Sequence, residues 1–435
     1  MKRLFISVIA VFTFFSAPLR ADVDIQEVTS PNGLKAWLVE DHTIPFMALR
    51  LGFEGGASLD RPNKRGAVSL MMALLEEGTG DLDARGFAQA VDELATSFNF
   101  DASDDSVSVS ARMLSENRDE AIVLLKGAIS APAFEQSAID RVKAQIVSIV
   151  QSNSKDPNKI ARRAFDAAAF GPHPYGSDLN GTVESIGGLS REDIQNAHSD
   201  TMAKDRVFIS AVGDITAEEL GALLDTLLGD LPATGAVKPE RVEIGLEPGV
   251  TVVPFETPQS VALFGHRGMK RDDPDFFAAF IANTILGGGG FDSRLMDEVR
   301  DKRGLTYGVY SYLAPKDYAE LVIGQVASAN DRIVAAIDVI KAEWAKIAQE
   351  GVTQAELDHS KTYLTGAYPL RFDGNGPIAN ILVGMQMQRL PIDYANTRND
   401  KVNAVTLEQI NRVIKEVYLP DELHFTVVGK PDGLE

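Results

Sequence analysis

Two stretches of this chain match at identical internal spacing, and the repeat they mark limits the fold more than any other feature of the sequence. The first runs from Ser190 to Gly213 and the second from Thr406 to Gly429, 23 positions in each case. Each opens with a hydroxyl residue able to cap a helix. Each then places acid in the first turn (Glu192, Glu408), where it suits the free N–H groups and the helix dipole, and closes on an apolar run ending in Val-Gly. A third echo, Met47-Ala48-Leu49 against Val261-Ala262-Leu263, stands at nearly the same offset. Order and spacing kept at both ends mark a tandem duplication of a unit of about 215 residues.

Within the first half, Lys35 to Glu40, Phe46 to Phe53, Ser106 to Met113 and Val207 to Val212 read as strands. The second half offers Val250 to Phe255, Val261 to His266, Thr306 to Leu313, Ala319 to Ala327 and His424 to Val428. Helical periodicity marks Phe134 to Val150 and Asp331 to Gln349. No βαβ pattern repeats, so the expected class is α+β: two homologous domains, in each of which helices pack on one face of a mainly antiparallel sheet. The expected limits are 22–234 for the first domain and 250–435 for the second, with a linker at 235–249. That linker belongs to a stretch from Leu231 to Gly249 with three prolines, three glycines and no apolar period.

The basic start at Lys2 and Arg3, the apolar run from Leu4 to Phe15 and the segment Ser16 to Ala21 read as a secretory signal peptide, residues 1–21, cleaved near Ala21. A run of about 12 apolar residues is too short to span a bilayer. The expected location is therefore free in an exported compartment such as a bacterial periplasm. The chain has no cysteine, so no disulfide holds it; stability rests on buried apolar area, for which this length allows two cores. Formal net charge is −20 at pH 7, and loss of Lys2, Arg3 and Arg20 makes it more negative. Such a surface repels phosphate backbones and anionic lipid, which argues against nucleic-acid and membrane partners.

The segment from Gly52 to Thr79 has the frame of a zinc-peptidase helix, with Gly66 ahead of it and Gly78-Thr79 at its end. It resembles the insulinase/pitrilysin family of zinc metallopeptidases, of the mitochondrial processing peptidase-like type, and the resemblance covers essentially the whole chain beyond the leader. In that family the helix carries His-x-x-Glu-His ahead of Gly-Thr. The resemblance puts the two His positions at Ser69 and Ala73, the catalytic Glu at Met72 and the distal Glu ligand near Ile149. None of these residues can serve a zinc ion, which needs N/O ligands and an open position for water. No two of His42, His173, His198, His266, His359 and His424 stand at helical ligand spacing. No metal or other cofactor is expected on this chain.

Between Ile285 and Ser311 the sequence carries a run of four glycines, Ser293-Arg294-Leu295 and Arg300-x6-Tyr307. Asp292 or Ser293 is expected to cap a helix running to about Lys302, with Gly304 as the left-handed residue after it. Arg300 then lies in the last turn and Tyr307 opens the next strand. The plainer reading is an arginine that favours a helix C-terminus and a half-buried strand tyrosine. The resemblance implies more, since in the zinc-free subunits of two-chain members an Arg and a Tyr so spaced hold the peptide against the partner's zinc. A phenol can donate to the oxygen of a developing tetrahedral intermediate, and a guanidinium can hold peptide carbonyls. Arg300 and Tyr307 are the candidate catalytic residues. Gly287, Gly288 and Gly289 lack the order of a phosphate loop and are candidates for close approach to substrate, or for a tight turn. The segment His173 to Gly176 reads as a structural loop, and Asp101, Asp104 and Asp105 as a solvated turn.

The resemblance thus implies the zinc-free subunit of a heterodimeric peptidase, and the signal peptide places it in an exported compartment. Its partner would be a homologous subunit with the intact motif, whose zinc polarises the scissile carbonyl of a peptide substrate and activates water. The alternative is a self-associating pseudo-peptidase, a homodimer with a structural or peptide-binding role.

Overall fold

The computed structural model describes residues 23–434 except 289, so the expected signal peptide lies outside the described residues. The first half opens with β1 (Gln26–Thr29), β2 (Lys35–Glu40) and β3 (Phe46–Glu54), followed by helix α1 (Ala67–Leu74). A small clip, β4 (Gly78–Thr79) and β5 (Leu82–Asp83), leads into α2 (Ala84–Glu93), β6 (Ser97–Ala102) and β7 (Ser106–Leu114). Then come α3 (Arg118–Ser130), α4 (Gln136–Asn153), α5 (Pro157–Phe170), α6 (Val183–Gly187), α7 (Arg191–Thr201), β8 (Val207–Gly213) and α8 (Ala217–Leu228). The second half runs β9 (Gly249–Pro254), β10 (Gln259–Arg267), α9 (Phe276–Asn283), β11 (Val309–Pro315) and β12 (Glu320–Ala329). It finishes with α10 (Ile333–Glu350), α11 (Gln354–Ala367), α12 (Asn375–Met387), α13 (Tyr394–Ala404), α14 (Leu407–Val417) and β13 (His424–Gly429).

The duplication is visible in the topology. One sheet has the strand order β1-β2-β8-β3-β7-β6, and the other, read from its far edge, β9-β13-β10-β12-β11. With β1 set aside the two orders correspond position by position. Each sheet has one parallel pair, β2 with β8 and β9 with β13, and is otherwise antiparallel. The chain is α+β, with two homologous domains of helices packed on a mainly antiparallel sheet.

Side chains alternate between the faces of a strand. Along β3, Met47, Leu49, Leu51 and Phe53 join α1, α3 and α4 in the first core; along β10, Ala262 and Phe264 join Trp344 of α10 in the second. The opposite faces depart from the sequence expectation of helices on one side only. Helix α12 lies across β3 and β8 of the first sheet, and α5 lies across β10 and β13 of the second. These two helices hold equivalent places in the repeat, so the exchange is reciprocal. Trp37, Ala48 and Val212 meet Ala379, Leu382 and Met385; Val261, Leu263 and Val428 meet Ile160, Ala161 and Phe165. Gly52 in β3 permits this close approach, since a Cβ there would stand 2.8 Å from Met387 Sδ and Val383 Cγ1. Ser210 Oγ donates to the Ala379 carbonyl at 2.6 Å and Gln386 Nε2 to the Ile209 carbonyl at 2.8 Å, so polar groups in the seam are paired.

A second bridge between the halves is ionic and corrects the expectation of a solvated acidic turn. Asp104 pairs with Arg65 at 3.1 Å and with Lys316 of the second half at 2.8 Å. Asp105 accepts the Tyr175 hydroxyl and the Asp317 backbone N–H. Burial pushes its carboxyl above the usual range, against the pull of Lys316 and these donors. The loop from His173 to Gly176 is structural: Tyr175 is buried, in ring contact with Phe170 and Tyr318.

Candidate functional site

Helix α1 stands where a metal site would be built. Gly66, with φ 97°, turns the chain into it, and Asp60 accepts the N–H groups of Gly66 (2.8 Å) and Val68 (2.9 Å). The helix is apolar nearly all round and buried accordingly. Ser69 Oγ donates to the Leu179 carbonyl at 2.8 Å, Met72 is buried, and Ala73 packs against the first core. The distal position needs a small correction. Ile149 is 51% exposed on α4, whereas Val147 and Val150 are the residues that pack against the core containing α1. Neither assignment supplies a carboxylate. Among the described residues no three His, Asp or Glu side chains gather as a metal site.

Arg300 and Tyr307 do come together, on a backbone that differs from the expected one. Met296–Asp301 is a π-helical turn, with the Lys302 N–H on the Asp297 carbonyl at 2.9 Å. Such wide turns re-aim side chains and recur at functional positions. Gly304 (φ 62°) ends the turn as expected, its N–H on the Arg300 carbonyl at 2.8 Å. Tyr307 does not open β11 but precedes it, 92% exposed. The cause is Thr306, whose Oγ1 accepts the Gly308 N–H at 3.1 Å and donates to the Ala327 carbonyl at 2.6 Å, a bend that delays pairing.

The guanidinium carbon of Arg300 lies 4.8 Å from the Phe291 ring centroid and 5.8 Å from that of Tyr307, within cation–π reach of both. Other cations nearby are occupied. Glu298 pairs with Lys302 at 2.7 Å and with Arg303, and the two hold its carboxyl down at about 2. Among the described residues Arg300 is left with Asp301, at 3.3 Å. The sequence reading missed Phe291, 69% exposed; an aromatic directly after four glycines was the available signal.

The glycines have separate fates. Gly287 is buried, and a Cβ there would stand 2.4 Å from Ser311 Oγ, so it serves the packing of this segment on β11. Gly288 is exposed and lines a cleft. Gly289 lies outside the described residues. A phenol and a guanidinium held in this way can bind and polarise a carbonyl oxygen. Hydrolysis also needs an activated water, which these two groups do not generate.

Known proteins share both halves of this architecture. The model of the insulinase (peptidase M16) family matches residues 35–183, and that of the peptidase M16 inactive domain matches residues 188–364. A Helicobacter pylori protein named non-peptidase homolog YmxG is 28% identical over 90% of this chain and 90% of its own length. A Bacillus subtilis protein named uncharacterized zinc protease YmxG is 22% identical over 91% and 96%. The crystal structure of a peptidase M16 inactive domain from Pseudomonas fluorescens superposes with a TM-score of 0.88 at 28% identity, covering 95% of this chain and 99% of that one. A Helicobacter pylori protease has the same fold, with a TM-score of 0.84 at 18% identity over 93% and 99%. The duplicated topology, the α1 frame and these matches agree: the chain belongs to the insulinase (peptidase M16) family.

Proposed function

We propose that this chain is the zinc-free subunit of a heterodimeric peptidase exported to a bacterial periplasm, and that it adds Arg300 and Tyr307 to the zinc site of a homologous partner. One observation carries the reading. The Arg300 guanidinium, half-exposed and beside Asp301, lies over the exposed Tyr307 ring, while the neighbouring cations are tied to Glu298. An exposed phenol beside a guanidinium does little for this chain's own stability and suits an oxyanion and a peptide carbonyl. The metal-ligand positions on α1 are meanwhile filled for packing. The name of the Helicobacter pylori relative, a non-peptidase homologue, fits a chain that does not cleave peptides by itself.

Tagged protein purified from its own cells, with mass spectrometry of what accompanies it, tests the pairing. A co-purifying chain of similar size with His-x-x-Glu-His is the expected result. Recovery of this chain with copies of itself alone would instead favour the second reading, a self-associating pseudo-peptidase. What favours that reading is the exposure of Phe291 and Tyr307, aromatic surface that a contact between copies would bury.

A further inference from the structure

The cleft beside Gly288 is at odds with the rest of the molecule. It encloses about 530 Å³ between α9, β11 and the exchanged helix α12, within the range of roughly 300–1,000 Å³ common for small-ligand pockets. Arg271, Arg371 and Arg398 line it, in a chain of net charge −20. Among the described residues none of the three pairs with a carboxylate. Arg271 donates to Gln388 Oε1 at 3.0 Å and to the Tyr394 hydroxyl at 2.8 Å, and lies 4.2 Å from the Phe276 ring centroid. Arg398, only 7% exposed, donates to the Leu364 carbonyl at 2.9 Å and lies 4.5 Å from the Tyr368 centroid. Its second partner is the neutral Asn399 Oδ1, at 3.1 Å.

Burying a guanidinium among neutral partners is costly, and an arginine does not relieve the cost by losing its proton. Neutral oxygens and aromatic faces orient the two groups here and supply no counter-charge. The carboxamides of Asn380 and Gln388, both on the α12 side, also line the cleft. The Nε2 of Gln388 and the whole Asn380 amide have no protein hydrogen bond among the described residues.

We infer that this cleft binds the C-terminal end of a peptide whose last residue is aromatic or large and apolar. Arg271 and Arg398, with Arg371 beside them at the rim, hold the terminal carboxylate in charge-assisted hydrogen bonds, and Phe276 and Tyr368 flank the last side chain. Asn380 and Gln388 meet the peptide amides, a role that an alkyl carboxylate would leave unused. This binding is a property of the single chain and needs no zinc-bearing partner, so it goes beyond the function proposed above.

Isothermal titration calorimetry of the purified chain decides it with three probes: N-acetyl-Ala-Ala-Phe as the free acid, the same peptide as its C-terminal amide, and decanoate. The acid is expected to bind at least about tenfold tighter than either of the others, as loss of a charge-assisted contact implies. Arg271→Gln and Arg371→Gln should each remove most of the preference for acid over amide. Arg371 is on the surface, so its variant reads binding even where replacement of a buried arginine harms folding, which thermal melting of each variant reports. Equal affinity for acid and amide, decanoate binding as tightly as the acid, or no binding of the acid at millimolar concentration would overturn the inference.

Discussion

Tyr307 and Tyr310 stand three residues apart and form a natural control. Tyr310 lies on β11, its hydroxyl on Gln325 Oε1 at 3.1 Å and its ring stacked on Tyr312; Tyr307 stands in the open beside Arg300. In a complex with a zinc-bearing subunit, Tyr307→Phe should lower kcat roughly 10²-fold, since one donor to a developing oxyanion is worth about 2.7–4 kcal/mol. Tyr310→Phe should stay within about twofold. Arg300→Ala should also raise KM, because a guanidinium holds the ground-state peptide as well. Steady-state kinetics that leave all three variants alike would make the pair structural.

His266 makes a separate prediction about stability. It is buried, its Nε2 accepts the Trp344 indole N–H at 2.9 Å, and Nδ1 lies 2.7 Å from the Arg267 carbonyl, an arrangement that fits only the neutral ring. Burial, the largest cause, pulls its pKa down to about 4. A histidine with a depressed folded-state pKa contributes stability above its unfolded value near 6.5 and loses it as pH falls from there to about 4. The full loss is about 3 kcal/mol. Urea unfolding at pH 7.5 and 4.5 should show a smaller difference for His266→Gln than for the unmodified chain. Equal differences would mean that His266 does not titrate in this window. At this scale the sequence spoke unevenly. The family resemblance of the surrounding segment, not spacing alone, singled out Arg300 and Tyr307, and neither foresaw that a π turn and the Thr306 bend would bring them beside Phe291.

Helix α1 offers the element-scale test, because its frame survives without its ligands. Ser69→His, Met72→Glu and Ala73→His together with Val150→Glu should retain about one zinc per chain after dialysis, whereas the same triple with Ile149→Glu should not. The reason is direction: Val150 packs toward the core that holds α1 while Ile149 is half in solvent. Equal zinc content by elemental analysis would contradict this placement. Strands made of a short apolar run between charged ends, such as Lys35–Glu40, could be read to the residue. β6 escaped, because Ser97-Phe-Asn-Phe-Asp-Ala102 contains residues that disfavour strands and is held only at a sheet edge by β7. The exchange of α5 and α12 was not legible, since an apolar stripe says that a helix face is covered but not which sheet covers it.

The exchange makes the two halves depend on each other. Expressed alone, the first half would expose Trp37, Ala48 and Val212, which α12 covers in the intact chain; the second would expose Val261, Leu263 and Val428. Apolar surface of that kind drives aggregation. Residues 23–234 and 235–434 produced separately should be insoluble or unfolded by circular dichroism, and co-expression should recover a folded complex. A soluble, folded and monomeric half would show that the exchanged helix is dispensable.

The most direct measurement for the whole molecule is a titration of this chain into a homologous His-x-x-Glu-His subunit from the same organism, following peptide hydrolysis and zinc content together. Activity should rise from near background to a plateau at one-to-one stoichiometry, with one zinc per pair and none on this chain alone. A zinc-bearing subunit that is fully active before this chain is added, or zinc bound tightly by this chain by itself, would contradict it.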